Sequence, residues 1–295
     1  MNILVAVDTS LQTDFVIQEV ARLAGNTWAD VTLLGIDANA FQNQGSPPPK
    51  AGINPNARLV QILREHRARF LSHFSPEASP YVESSGTYEL LEVAPGLWED
   101  LKVCRGLHKQ LKTRIRPGNP SKAILTEARQ SSYDLIVIGS RVADTSDATG
   151  YTAKKVTREA DTSVLVLAEA KQPRRIVACL DHDQVSQPSL EMINQMVTLY
   201  QADLEIVGLT SSNGGLAGEV DHKMAQIFKY YASNGIKALV RSVGATSLQA
   251  FAGEMARENL LALWMGRKSL LRRFIPIKSL DLLLSSPDSS VLILR

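Results

Sequence analysis

The feature that most constrains this chain is that it repeats itself. ILVAVD (residues 3–8) is matched by IVACLD (176–181), and VTLLGID (31–37) by LEIVGLT (204–210), with Gly35 and Gly208 separated by 173 positions. Further along the separation falls. Gly118 matches Gly244 at 126, IVIGSR (136–141) matches LWMGRK (263–268) at 127, and SVLVL (163–167) matches SVLIL (290–294) at 127. Five matches in one order mark two copies of a single domain, the first carrying about 47 extra residues between its second and third matched blocks. A length of 295 residues suits two domains, since single hydrophobic cores stop growing near that size.

Within each copy, short unbroken apolar runs such as ILVAV, VTLLGI, DLIVIG and VLVL alternate with helical patterns. Runs of that kind fit strands buried on both faces. Residues 12–25 set Phe15, Ile17, Val20, Leu23 and Ala24 largely on one side, with Gly25 as the stop. Residues 121–131 do the same after the turn Gly118-Asn119-Pro120. The expected fold is therefore α/β, two tandem doubly wound parallel-sheet domains, each a Rossmann-like αβα sandwich. Domain 1 spans 1–170 with an insertion at about 38–112, and domain 2 spans 173–295, with the linker at Glu169 to Arg174. In the insertion, a helix is expected from Asn56 to Phe74 and a short hairpin around Ser84-Ser85-Gly86.

Composition narrows the function classes. The 32 basic and 30 acidic residues nearly cancel, which argues against a dedicated binder of nucleic acid or membrane surfaces. Cys104 and Cys179 form no metal or redox motif. The start MNILVAVDTS has no charged leader region, and the longest apolar runs are far too short to span a bilayer, so a cytoplasmic protein is expected. The five histidines have no ligand spacing, and in Asp181-His182-Asp183 consecutive strand positions point to opposite faces, so no metal site is expected. No Gly-x-Ser-x-Gly, His-Glu-x-x-His or Walker loop is present, and the chain is read as a non-enzyme.

The segment LKTRIRPGNPSKAILTEARQSSYDLIVIGSR (111–141) and the opening ILVAVDTS, with Asp8 after the first strand, resemble the universal stress proteins. The likeness is specific at 111–141 and loose over 173–295. It implies a stress-response regulator. Members of that family that bind ATP carry Gly-x2-Gly-x9-Gly-(Ser/Thr) after their fourth strand. Glycines there let backbone N–H groups reach the phosphates beside a helix start. Carried over, the resemblance implies nucleotide contacts at Asp8, at the backbone of Ile36, and at Gly118, Gly139, Ser140, Arg141, Gly150 and Thr152. The motif is degraded, because Val142 replaces the middle glycine and the loop between Gly139 and Gly150 is two residues short.

In the second copy the loop after Gly266 reads RKSLLRRFIPIK without a glycine, so domain 2 is not expected to hold a nucleotide. Its Arg267, Lys268, Arg272 and Arg273 are more simply a solvated run than an anion site. Three readings stay open: a regulator binding ATP or another adenine nucleotide in domain 1, a nucleotide-free scaffold that meets a protein partner through 38–112, and a slow ATP-hydrolysing enzyme. Homodimerisation is also left open. The final strands, 163–167 and 290–294, are expected to meet each other, which would protect both edges.

Overall fold

A computed structural model describes residues 1–8, 12–38, 55–75, 77, 79–81, 89–100, 109–140, 148–168, 172–180, 185–210, 217–244, 246–257, 259–266, 269, 271, 275–285 and 290–295. The chain forms two compact units. One is Met1–Gly139 with Lys155–Thr162, the other Ser140–Lys154 with Ser163–Arg295.

The first unit is built on strands β1 (Asn2–Val7), β2 (Asp30–Asp37), β3 (Leu90–Ala94), β4 (Leu97–Asp100), β5 (Leu111–Pro117) and β6 (Leu135–Gly139). They lie in the order β6-β1-β2-β5-β4-β3. β6, β1, β2 and β5 are parallel neighbours, whereas β4 adds antiparallel to β5 and β3 antiparallel to β4. Ile3, Leu4 and Val5 of β1 are fully buried, as expected of a strand covered on both faces. Helix α1 (Gln12–Thr27) packs through Val16, Ile17, Val20, Leu23 and Ala24, an i, i+3, i+4, i+7 stripe. Gly25 is not its stop. The helix runs on to Thr27, and Trp28 takes the left-handed conformation (φ 49°) that ends it. A β-carbon on Gly25 would lie 3.3 Å from the Phe74 ring, so this glycine serves packing rather than termination.

Helix α2 (Ala57–Ser72) starts where expected, with the Asn56 side chain accepting from the Arg58 N–H. Its Phe70 joins Phe74 and Tyr81 in an aromatic cluster with ring centroids 5.1–5.3 Å apart. A hairpin turns at Pro95-Gly96, where Gly96 has φ +72°, while the one expected around Ser84-Ser85-Gly86 lies outside the described residues. Helix α3 (Pro120–Gln130) has Asn119 as its cap and Pro120 in its first turn.

The second unit has β7 (Ser163–Leu167), β8 (Arg175–Leu180), β9 (Asp203–Thr210), β10 (Ala238–Gly244), β11 (Leu260–Trp264) and β12 (Val291–Leu294) in the order β10-β9-β8-β11-β12-β7. Its helices are α5 (Gln187–Tyr200), α6 (Ala217–Ser233), α7 (Leu248–Met255) and α8 (Ile277–Ser285), while α4 (Ala148–Glu159) precedes β7 in the chain. The strands from β10 to β12 are parallel, and β7 pairs antiparallel with β12 through Val164↔Ile293, Leu165↔Leu292 and Val166↔Val291. The two final strands therefore meet as their sequences suggest.

The ladders place the two halves in a register that sequence matching misjudges. Ile3 stands opposite Leu135, and Ile176 opposite Leu260. The first half is thus mapped onto the second at 173 in β1 and at 125, not 127, in β6. The bond from Ser140 N–H to the Leu167 carbonyl recurs as Met265 N–H to Leu294, which gives the same shift. Trp264, not Gly266, is thereby the counterpart of Gly139. Likewise Gly35 pairs Ile115 and Gly208 pairs Ser242, so the β5 offset is 127, Gly244 corresponds to Pro117 rather than Gly118, and the excess in the first half is 46 residues.

Candidate functional site

In an open α/β sheet, ligands sit beyond the carboxyl ends of the strands where the order of connection reverses. In the first unit that point lies between β1, which leads to β2 on one side, and β6 on the other. The strand ends there are Asp8, Ile36-Asp37, Pro117-Gly118 and Gly139.

Asp8 follows β1 and is half-buried. Its carboxylate accepts from the Thr13 hydroxyl at 2.6 Å, which ties the turn to the first turn of α1. Helix α2 reaches the same turn. His66 is buried with Nε2 3.2 Å from the Asp8 carbonyl oxygen, so this nitrogen carries the proton, and its Nδ1 lies 3.7 Å from the Asp14 carboxylate. Arg69 of α2 also pairs with Asp14. A helix within the extra segment thus sets the shape of the β1 end, a contact between positions 58 residues apart that no local pattern announces.

The β2 and β5 ends are joined as well. Gly118 (φ +109°) donates its N–H to the Asp37 carbonyl at 3.0 Å, and a side-chain-bearing residue would be strained in that turn. The Asp37 carboxylate accepts from the Asn56 N–H at 3.3 Å, and Ile36 pairs with Arg116 across the ladder. Gly118 borders an open cleft of about 800 Å³ between the start of α3 and the Pro95-Gly96 turn, with Arg116 and Lys122 on its wall.

Two buried charge clusters hold this frame. Arg67 of α2 pairs with Asp100 of β4 at 3.0 Å and also donates to the Leu111 carbonyl, with both side chains buried. Thr113 donates its N–H and its hydroxyl to the same carboxylate. Burial raises the Asp100 carboxyl above its ordinary range although Arg67 and Thr113 oppose the shift. Glu127 of α3 is fully buried. Burial pushes its carboxyl up, but hydrogen bonds and charge from Arg116 and Arg114 outweigh this and hold it below the usual range.

The remaining sequence candidates belong to the second unit or lie outside the described residues. Ser140 is buried, its hydroxyl donating to the Leu284 carbonyl at 3.1 Å. Gly150 is the third residue of α4, and Thr152, two residues further on, is buried. Arg141, Asp181, Arg267, Lys268, Arg272 and Arg273 lie outside the described residues. Trp264 is buried at the end of β11, and its indole lies so close to Gly266 that a β-carbon there would come within 2.5 Å of the ring. Gly266 therefore makes room for Trp264 and need not be explained by a phosphate. Among the described residues no group of three or more His, Cys, Asp or Glu could hold a metal ion, and no helix is long and apolar enough to cross a membrane.

A doubly wound α/β protein with an acid at its first strand end and glycines at its third and fourth parallel strand ends defines a narrow class. The universal stress protein family model matches residues 1–168, and the chain belongs to that family. A universal stress protein from Archaeoglobus fulgidus DSM 4304 is similar in fold over 100% of this chain and 96% of its own, at 13% identity and a TM-score of 0.54. A functionally unknown protein from Pseudomonas aeruginosa PAO1 is similar over 99% and 92%, at 13% identity and a TM-score of 0.57. The cytoplasmic domain of a prokaryotic cation chloride cotransporter is similar over 99% and 94%, at 10% identity and a TM-score of 0.54. These likenesses speak to fold alone. No curated protein sequence matches the chain.

Proposed function

We propose that this universal stress protein is a tandem stress-response regulator whose first half binds an adenine nucleotide, ATP foremost, and whose second half does not. Its output is a change of conformation or of protein partner rather than catalysis. The observation that supports this reading is the contrast between Gly139 and Trp264 at equivalent strand ends. A glycine leaves the backbone open to close approach, whereas the second half carries a buried indole at that position. The nucleoside is proposed to rest on Asp8, Ile36, Gly118 and Gly139, all in the first unit.

The test is calorimetric titration of nucleotide-stripped protein with ATP and Mg²⁺, repeated on Gly139→Trp, which copies the second half, and on Asp8→Ala. One saturable site per chain is expected, weakened at least about tenfold in each variant, roughly 1.4 kcal/mol, with thermal melts showing both variants folded. Absence of saturable heat from the native protein at millimolar ATP sinks the reading.

A nucleotide-free scaffold is the second reading. It is favoured by Ser140, whose hydroxyl already donates within the fold to Leu284.

A further inference from the structure

The 46 residues by which the first half exceeds the second do more than lengthen a loop: they cover a sheet edge. In the first unit β5 would end the parallel sheet, but β4 pairs antiparallel with it, Trp98 opposite Ile115 and Glu99 opposite Arg114. Glu99 accepts from Arg114 Nε at 2.7 Å. β10 is the equivalent strand of the second unit, and it is the last in the order there, with no strand beyond it among the described residues.

The register carries each position across. Lys112 becomes Leu239, Thr113 becomes Val240, Arg114 becomes Arg241 and Ile115 becomes Ser242. Leu239 is 55% exposed and Val240 41% exposed, although both belong to a regular strand. An edge strand presents unpaired N–H and C=O groups, and proteins usually blunt it with charge, a bulge or a cover. Here the residue matching Lys112, which pairs with Glu99 of the covering strand, is an exposed leucine.

The charge at this edge is unbalanced. Arg241 Nε lies 2.7 Å from the fully buried Glu205 carboxylate, which is also bound by Arg175 at 3.0 Å. Two cations share one anion there. In the first unit three cations, Lys112, Arg114 and Arg116, share two anions, Glu99 on the covering strand and Glu127 on α3, so the covering strand supplies the second anion. The Arg241 guanidinium also stacks at 5.6 Å over Phe251 of α7, which fixes its position at the edge.

We propose that β10 is a strand-accepting edge that docks an antiparallel extended segment of a partner protein. That segment carries an acidic residue opposite Arg241 and a large apolar residue opposite Ser242, the places that Glu99 and Trp98 take in the first unit. Main-chain ladder bonds supply the affinity and the acid opposite Arg241 supplies the register. The covering strand of the first half is the template for the ligand that the second half lacks.

The experiment uses the full chain and a fluorescein-labelled peptide of its own residues 89–100, ELLEVAPGLWED, as the probe. Anisotropy is expected to report saturable one-to-one binding, and hydrogen exchange is expected to slow at amides 238–244 when peptide is added. A peptide carrying Glu99→Arg should bind the native protein at least about fivefold more weakly, because a cross-strand attraction becomes a repulsion. Arg241→Glu should reverse that preference and favour the altered peptide. Failure of binding to saturate, or indifference to both charge changes, overturns the proposal. So does a concentration-dependent dimer that already protects amides 238–244 and that the peptide does not displace, because the edge then belongs to a second copy of the chain.

Discussion

The end of β6 in the first half and the end of β11 in the second are the same place in the fold built from opposite materials. Gly139 closes one and Trp264 the other, with Gly266 shaped to admit the indole. The same opposition recurs at the far edges, where β5 is covered by β4 while β10 stands last. The first half spends polar and charged residues on a shaped strand end and moves its edge from β5 out to β3, where Leu91 and Val93 are exposed. The second sets a buried indole at its strand end and, among the described residues, has β10 itself as its edge. The two halves share the parallel ladders that each needs in order to fold, and they differ at strand ends and edges, which the ladders do not constrain.

The largest effect should come from the buried pair that holds the covering hairpin in place. Arg67→Ala leaves the Asp100 carboxylate in the interior without its cation, at a cost of about 3–5 kcal/mol. Urea unfolding followed by tryptophan fluorescence, to which Trp98 on β4 contributes along with Trp28 and Trp264, is expected to show the loss. A loss below about 1 kcal/mol would mean that Thr113 alone satisfies Asp100, and that the hairpin is not anchored through α2.

A smaller effect is one of pH and concerns the first half. Glu127 has a folded-state carboxyl below the ordinary glutamate range, so its contribution to stability is present above that range and disappears as pH falls through the lower, folded value. Asp100 is shifted the other way and is stabilised by protonation, so it offsets part of the loss on the acid side. Glu127→Gln should cost about 1.5–3 kcal/mol near neutral pH and flatten the acid limb of the stability curve. Chemical denaturation repeated from neutral to acid pH measures both. An acid limb as steep in the variant as in the native protein would assign the acid sensitivity elsewhere.

The smallest effect tests the paired glycines that do correspond. A β-carbon on Gly35 would lie 3.0 Å from a Leu63 methyl and 3.1 Å from Leu59, both on α2. On Gly208 it would meet the Met224 sulfur at 3.2 Å, on α6. Methionine is unbranched and adapts, whereas two leucines pinned by a buried helix do not. Gly35→Ala should therefore cost about 1–2 kcal/mol and Gly208→Ala under about 1 kcal/mol. Equal losses by thermal melting would show the helix-to-sheet spacing to be equally tight in both halves.

Much of this architecture is legible in the chain itself. The apolar runs of β1, β2, β6 and β8 announce buried parallel strands, Asn119-Pro120 announces the start of α3, and Asn56 that of α2. The meeting of 163–167 with 290–294 follows from two short apolar strands that each need a partner. Of the candidate site, Asp8 and Gly118 stand at strand ends as their patterns suggest. His66 was not legible as a site residue, because its contact with Asp8 arises from a helix laid across the sheet.

What the sequence alone determines here is the alternation of strand and helix and the family, since each rests on local periodicity and short motifs. Only the tertiary structure decides which residues are equivalent. A glycine two positions along the chain from its true counterpart looks like a match on paper, but ladder hydrogen bonds pair Gly139's place with Trp264. Tertiary structure also decides that the extra segment is a helix clamp and an edge cover rather than a free loop. The physical reason is one and the same: register, edge pairing and buried ion pairs join residues far apart in sequence, and their energies exist only once the strands and helices that carry them are side by side.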